Sequence, residues 1–260
     1  MNAMKHLVTL TAAGLIAVVG LGSSNAYASV VIAGTRVVYP AKQREVTVKL
    51  TNDGHTPALT QIWLDRGDPD AAPSTIDVPF TVTPPVARID PGKGQAVRII
   101  YTGEALPQDK ESVFWFNLLE VPPKPGADAT QSNLLQMAFR TRIKLFFRPE
   151  SLKAADAAAA PAQVRWSLVK DAGGDAIQAH NPTPYFVSFA SVDVSGGGRT
   201  ARFSDGGMVA PGETKAFVLQ GEVPTASTAK VTYHAINDYG GPTDGEAGLN
   251  SQAGVNSQSP

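Results

Sequence analysis

A chain of 260 residues with 24 glycines, 20 prolines and no cysteine has room for one large domain or two of about 100–150 residues, built without disulfides. Its 22 basic and 23 acidic side chains leave a formal net charge of −1, so no whole-chain field draws nucleic acid or an anionic membrane. The lack of cysteine also excludes thiol nucleophiles and cysteine-ligated metal or iron–sulfur sites.

Residues 1–28 read as a secretory signal peptide. Lys5 supplies the positive start, Leu7 to Leu21 is mostly apolar, and Ala26-Tyr27-Ala28 is a small-x-small cleavage triplet. The apolar run is shorter than the ~20 residues a bilayer needs, so membrane insertion is not expected. Cleavage after Ala28 makes Ser29 the mature terminus.

From Ser29 the dominant period is two, as in Glu45–Thr51, where Val46, Val48 and Leu50 alternate with polar neighbours. Strands are predicted at Ser29–Val38, Glu45–Thr51, Ala58–Leu64, Phe80–Val82, Gln95–Tyr101, Val113–Val121 and Leu134–Phe147. Turn chemistry separates them at Asn52-Asp53-Gly54, Pro84-Pro85, Asp90-Pro91-Gly92 and Pro122–Gly126. This describes a first β domain over 29–149. An immunoglobulin-type sandwich accounts for it, and a barrel gives a similar pattern that periodicity does not separate. Residues 150–160 are Ala-rich and read as a linker without a docked helix. A second, smaller β domain follows over 161–240, with strands at Val164–Val169, Phe186–Val194, Thr200–Phe203, Thr214–Leu219 and Ala229–Ile236, and with Gly196-Gly197-Gly198 as a hairpin turn. Residues 241–260, almost without apolar side chains, are expected to form a disordered polar tail.

The run Leu134–Phe147 stands apart. At about 3.3 Å per residue it would reach roughly 45 Å, more than twice an ordinary strand. Either both halves lie inside a large sandwich, or the strand outruns its own sheet and offers an unpaired edge to another chain. The stretch from Val121 to Pro149 also holds five bases, Lys124, Arg140, Arg142, Lys144 and Arg148, against the single acid Asp128. A nearly neutral chain thus carries a basic strand.

The segment Leu106–Pro122, with Glu111, Ser112, Asn117 and Pro122 at fixed spacing, closely resembles the signature of periplasmic pilus chaperones of the chaperone-usher pathway. Thr83–Arg88 before Asp90-Pro91-Gly92, Arg142–Pro149, Asn181–Tyr185 and Ile236–Gly240 match in family order, so the resemblance spans Ser29–Gly240. It implies an all-β protein of two immunoglobulin-like sandwiches set as a boomerang. It also implies a function: capture of pilus subunits one-to-one by donor-strand complementation in the periplasm, and delivery to an outer-membrane usher.

Residue by residue, the resemblance implies Leu135, Met137 and Phe139 as the apolar donor row. Burying three such side chains supplies roughly 5–9 kcal/mol before association costs. It implies Arg36 and Lys144 as the anchor for the subunit's C-terminal carboxylate, and Arg88, Glu111, Arg148 and Asp238 as an inter-domain ion network that holds the cleft. No cofactor, metal, nucleic acid or enzymatic activity is expected: His55, His180 and His234 are isolated in sequence, and no phosphate-binding loop or nucleophile elbow occurs. The competing class is a secreted immunoglobulin-like adhesin or carbohydrate-binding module, which needs neither the Arg36 and Lys144 pair nor the long strand.

Overall fold

The computed structural model describes residues 29–121, 137–171 and 173–249. The signal-peptide assignment, Leu135 and the end of the polar tail lie outside the described residues.

The N-terminal domain is built from β1 (Val30–Ile32), β2 (Arg36–Pro40), β3 (Glu45–Asn52), β4 (Ala58–Asp65), β5 (Phe80–Thr83), β6 (Val86–Ile89), β7 (Gly94–Tyr101), β8 (Ser112–Val121) and β9 (Phe139–Arg148). They form two facing sheets, one in the order β1-β3-β7-β5 and the other β2-β9-β8-β4-β6. The alternation read from sequence fills the space between them. Val48 and Leu50 of β3, Val97 and Ile99 of β7, Phe114, Phe116 and Leu118 of β8, and Ile143, Leu145 and Phe147 of β9 all enter one buried cluster. Tyr39 stacks on Phe147 within it, donates its hydroxyl to the Arg44 carbonyl at 3.0 Å and accepts the Tyr101 N–H at 3.0 Å.

The predicted first strand, Ser29–Val38, is two strands in two sheets. Gly34, at φ +118°, lets the chain leave β1, which pairs antiparallel with β3, and cross to β2, which pairs parallel with β9. The crossing places Arg36 in register with Lys144.

The long strand is also shorter than expected. β8 pairs with β9 from Ser112↔Phe147 to Glu120↔Phe139 and ends at Val121, so Met137 and Ala138 have almost no sheet left to join and are not in strand. They precede β9 as irregular, exposed backbone.

A short helix, α1 (Ala154–Ala159), and a 3-10 turn, Ala160–Gln163, join the domains. The expected undocked linker is thus a docked one. Ala160 is 1 % exposed within the second core, Ala157 packs against that core, and the Tyr185 hydroxyl donates to the Lys153 carbonyl at 2.9 Å. Alanine's helix propensity needs only this tertiary support to form a turn and a half.

The C-terminal domain comprises β10 (Arg165–Asp171), β11 (Gly174–His180), β12 (Val187–Gly196), β13 (Arg199–Phe203), β14 (Gly207–Val209), β15 (Thr214–Val218), β16 (Gln220–Gly221), β17 (Lys230–Ile236) and β18 (Pro242–Gly248). One sheet runs β10-β11-β15. The other runs β16-β13-β12-β17-β18, with β14 on β12. Trp166, Phe189 and Tyr233 meet in its core.

The strand β18 corrects the expected tail. Its seven residues pair with β17 throughout, and Leu249 bridges Trp166. Backbone hydrogen bonding replaces the missing apolar side chains. Gly245 permits the close approach, because a Cβ there would stand 2.1 Å from the Tyr233 hydroxyl.

Candidate functional site

β9 is flanked unequally. On one side β8 pairs with it from Phe139 to Phe147; on the other, β2 pairs only from Lys144 to Arg148. Among the described residues, the backbone of Phe139–Ile143 therefore has no strand on the β2 side. This open edge begins directly above the registered pair Arg36 and Lys144. An unpaired edge of this kind templates pairing with another chain.

The two faces of β9 differ in chemistry. On the odd face, Ile143, Leu145 and Phe147 are buried in the domain's own core, and Phe139 is half-buried where that core runs out. Met137, two residues before the strand, is 43 % exposed. Leu135, the third expected donor residue, is not described.

The even face carries Arg140, Arg142, Lys144 and the buried Phe146. Arg142 pairs with the buried Asp65 at 2.5 Å and lies 4.3 Å from the centroid of Trp115. Arg140 donates its Nε to Asn117 Oδ1 at 3.0 Å, lies 3.6 Å from the Asp65 carboxylate and stacks on Trp63 at 4.9 Å. Burial opposes ionisation of Asp65. Hydrogen bonds from Arg142, Asn117 and the Gly67 N–H outweigh it, so the carboxyl sits below the usual carboxylate range.

Lys144 has no such partner. Its ammonium lies 5.7 Å from the Trp115 centroid, and among the described residues no carboxylate pairs with it. Burial first, then the charges of Arg36 and Lys215, push it down to about 8. Arg36 donates one Nη1–H to the Ile236 carbonyl at 2.9 Å and lies over Phe146 at 5.6 Å, while its buried Nε has no hydrogen-bond partner. Burial lowers its pKa, and Asp238 and Glu111 pull it back. Beside the open edge, Lys144 is left without a carboxylate partner, while Arg36 makes no ion pair among the described residues but sits in the field of Asp238 and Glu111. A cavity of about 700 Å³ opens beside Lys144, lined among others by Trp115, Met208 and Lys215 and by the acids Asp205 and Glu213. A second, of about 400 Å³, opens beside Arg36 and Arg148 under α1.

Behind this pair the domains are stitched by Arg148. Its Nε donates to Glu111 Oε1 at 2.7 Å, and its two Nη groups donate to Asp238 at 2.7 and 2.9 Å. The other Glu111 oxygen accepts the Phe186 N–H at 2.9 Å, and the Glu111 N–H donates to the Pro184 carbonyl at 2.9 Å. Burial pushes the Glu111 carboxyl up and Arg148 partly offsets this; burial also works against the Arg148 charge, but the two carboxylates raise its pKa overall. The fully buried Asn181 shapes the loop that delivers Pro184 and Phe186. Its amide donates to the Tyr185 and Val209 carbonyls, and its oxygen accepts the Thr183 N–H and hydroxyl.

Arg88 is not part of this group. It lies on β6, at the opposite edge of the sheet from β2, where it is exposed and pairs with Asp90 at 3.3 Å. A sequence motif carries Arg88 along with its neighbours but says nothing of its place in the sheet. Trp115, Phe146, Phe186 and Ser188, which shape the cleft, escape sequence reasoning, because nothing in a strand's alternation says that an outward residue faces a second domain.

Two immunoglobulin-like sandwiches with an open strand edge that starts at the registered Arg36 and Lys144 define a protein built to bind another chain by strand addition. Residues 29–153 match the family described as pili and flagellar-assembly chaperone, PapD N-terminal domain, and residues 159–247 match the pili assembly chaperone PapD, C-terminal domain. The chain belongs to this family of pilus-assembly chaperones. It is 48 % identical over 229 residues to the probable fimbrial chaperone YadV of Escherichia coli K12, covering 87 % of this chain and 92 % of that one. The solved structure of the Pseudomonas aeruginosa CupB2 chaperone superposes with a TM-score of 0.71 at 43 % identity, over 85 % of this chain and all of the other. A Salmonella enterica SafA pilin in complex with the SafB chaperone gives 0.67 at 26 % identity, over 87 % of this chain and 99 % of the matched one.

Proposed function

We propose that this chaperone works in the periplasm, takes one pilus subunit at a time onto the Phe139–Ile143 edge, and passes it to an outer-membrane usher. The observation that carries the reading is the open edge starting at the registered pair Arg36 and Lys144, the lysine without a carboxylate partner among the described residues. A subunit strand laid along β9 would end beside Arg36 and Lys144, where its C-terminal carboxylate meets a planar fork and a compact ammonium. Leu135, Met137 and Phe139 would then fill the subunit's exposed apolar groove. Glu111, Arg148 and Asp238 hold the two domains so that the cleft keeps its width. The SafA–SafB complex supports the reading, since a related chaperone there holds a pilin.

The test is co-expression with a candidate subunit and purification of the one-to-one complex. Arg36→Ala and Lys144→Ala should each cut recovery at least severalfold. Equal recovery from wild type and both variants would sink the anchoring role.

A further inference from the structure

Glu120 lies on β8 opposite Phe139, and its half-buried carboxylate turns toward the first residues of the domain. One oxygen accepts the Ser29 N–H at 2.8 Å and the Val30 N–H at 3.0 Å; the other accepts the Ser29 hydroxyl. Ser29 is gripped from its other end as well. Its carbonyl accepts the Asp53 N–H at 2.8 Å, and Gly54 approaches so closely that a Cβ there would stand 2.5 Å from the Ser29 Cβ. This receptacle is matched to residue 29.

Its charge is unbalanced. Among the described residues no lysine, arginine or histidine pairs with Glu120. A carboxylate drawn partly out of water without a cation pays desolvation that hydrogen bonds from neutral amides only partly return. Residue 29 also directly follows the Ala26-Tyr27-Ala28 triplet, and the family match begins there.

We propose that Glu120 is the receptor for the α-ammonium released by cleavage after Ala28, so that export processing itself supplies the missing cation and locks β1 onto the sheet. The proposal rests on reading residues 1–28 as a cleaved leader. Hydrolysis of the Ala28–Ser29 bond puts the water's hydroxyl on the Ala28 carbonyl carbon and its hydrogen on the Ser29 nitrogen, which takes a proton from solvent. A neutral amide with one N–H becomes an ammonium with three, already 2.8 Å from a carboxylate oxygen. The uncut precursor lacks this pair, so its N-terminal domain folds less tightly than the mature one. Export and folding are thereby coupled at β1, the strand that pairs with β3.

Two measurements test this. The full chain is exported and its N-terminus read by intact mass; a start at Ser29 is expected, and a start at any other residue overturns the assignment. Separately, four full mature chains are prepared, with and without a retained Ala28, each with Glu120 or Glu120→Gln, and unfolded in urea. Retaining Ala28 should shift the N-terminal domain's unfolding equilibrium by about tenfold when Glu120 is present. In the Glu120→Gln background the shift should be about twofold or less. A fifth chain, acetylated on the Ser29 nitrogen with every side chain intact, should show the same tenfold loss. No cost from Ala28, equal cost in both backgrounds, or full stability of the acetylated chain overturns the ion pair. Subunit recovery is measured apart from these, so a failure here is distinct from a failure of strand addition.

Discussion

Replacing Lys144 with methionine should make the free chaperone more stable while destroying its ability to hold a subunit. The ammonium is pushed down to about 8 from an ordinary 10.5, so at neutral pH the folded chain carries a charge that its surroundings disfavour. A shift of that size corresponds to roughly 3 kcal/mol. Lys144 is only half-buried, and solvent screening reduces the figure to roughly 1–2 kcal/mol. Methionine is an unbranched side chain of similar length that removes the charge.

The pH dependence has a definite sign. Between about pH 8 and 10.5 the unfolded chain still holds the Lys144 proton while the folded chain has lost it, so stability rises with pH across that window. Urea midpoints at pH 7 and pH 9.5 would show wild type gaining on Lys144→Met, the difference between the two proteins isolating this one group. On the proposed reading a subunit carboxylate would reverse the preference, because it would favour the charged lysine. Complex formation should therefore take up a proton above pH 8, and affinity should fall as pH rises through that value. A Lys144→Met chain that is less stable than wild type at pH 7, or that gains equally with pH, would refute the reasoning.

Met137→Glu should abolish subunit recovery with an unchanged circular dichroism spectrum, because Met137 is exposed in the free chain; loss of folding would mark it as core instead. Asp238→Ala removes both carboxylate contacts to a buried guanidinium and should cost about 3 kcal/mol by denaturant unfolding. Asp65→Asn should lower stability at neutral pH and flatten its acid dependence. The depressed Asp65 carboxyl contributes stability above its ordinary value near 3.8 that is lost as pH falls through its lower folded value, and urea midpoints of the variant should change less than those of wild type across that window. Truncation after Gly241 should expose the β17 edge and lower the C-terminal domain's melting temperature by several degrees; an unchanged value would return residues 242–249 to the status of a tail.

The alternation of Val46, Val48 and Leu50 makes β3 legible from sequence alone, because a strand with one face in water must carry period two. The same logic fails wherever stability comes from something other than side-chain burial. Strand β18, Pro-Thr-Asp-Gly-Glu-Ala-Gly, is held by backbone pairing to β17 and by a glycine that admits Tyr233, so its composition reads as a tail. The split between β1 and β2 turns on Gly34 rather than on hydropathy, since both halves are apolar and only the sheet they join differs. Arg36, Lys144, Glu111, Arg148 and Asp238 are legible through the family motif, yet the motif also draws in Arg88. Charge alone does not say which edge of a sheet a residue occupies.

On the proposed reading, of the four described bases in the basic stretch only Lys144 belongs to the anchor, and Arg36 joins it from β2. Each arginine of β9 has polar partners built into the protein: Arg140 and Arg142 share the Asp65 carboxylate, Arg140 also donates to the neutral Asn117 amide oxygen, and Arg148 has Glu111 and Asp238. Their planar forks are spent on contacts within the sheet and between the domains. What remains is Lys144 with Arg36, registered across parallel strands at the point where the open edge starts. Strand pairing by itself tolerates slippage by two residues, since the same face returns. On the proposed reading a chain end is the one feature of a bound strand that is not periodic, and an anchor for its carboxylate removes that freedom. The cost is a free chaperone that holds Lys144 without a carboxylate partner among the described residues, and burial together with the charges of Arg36 and Lys215 pushes that ammonium down to about 8.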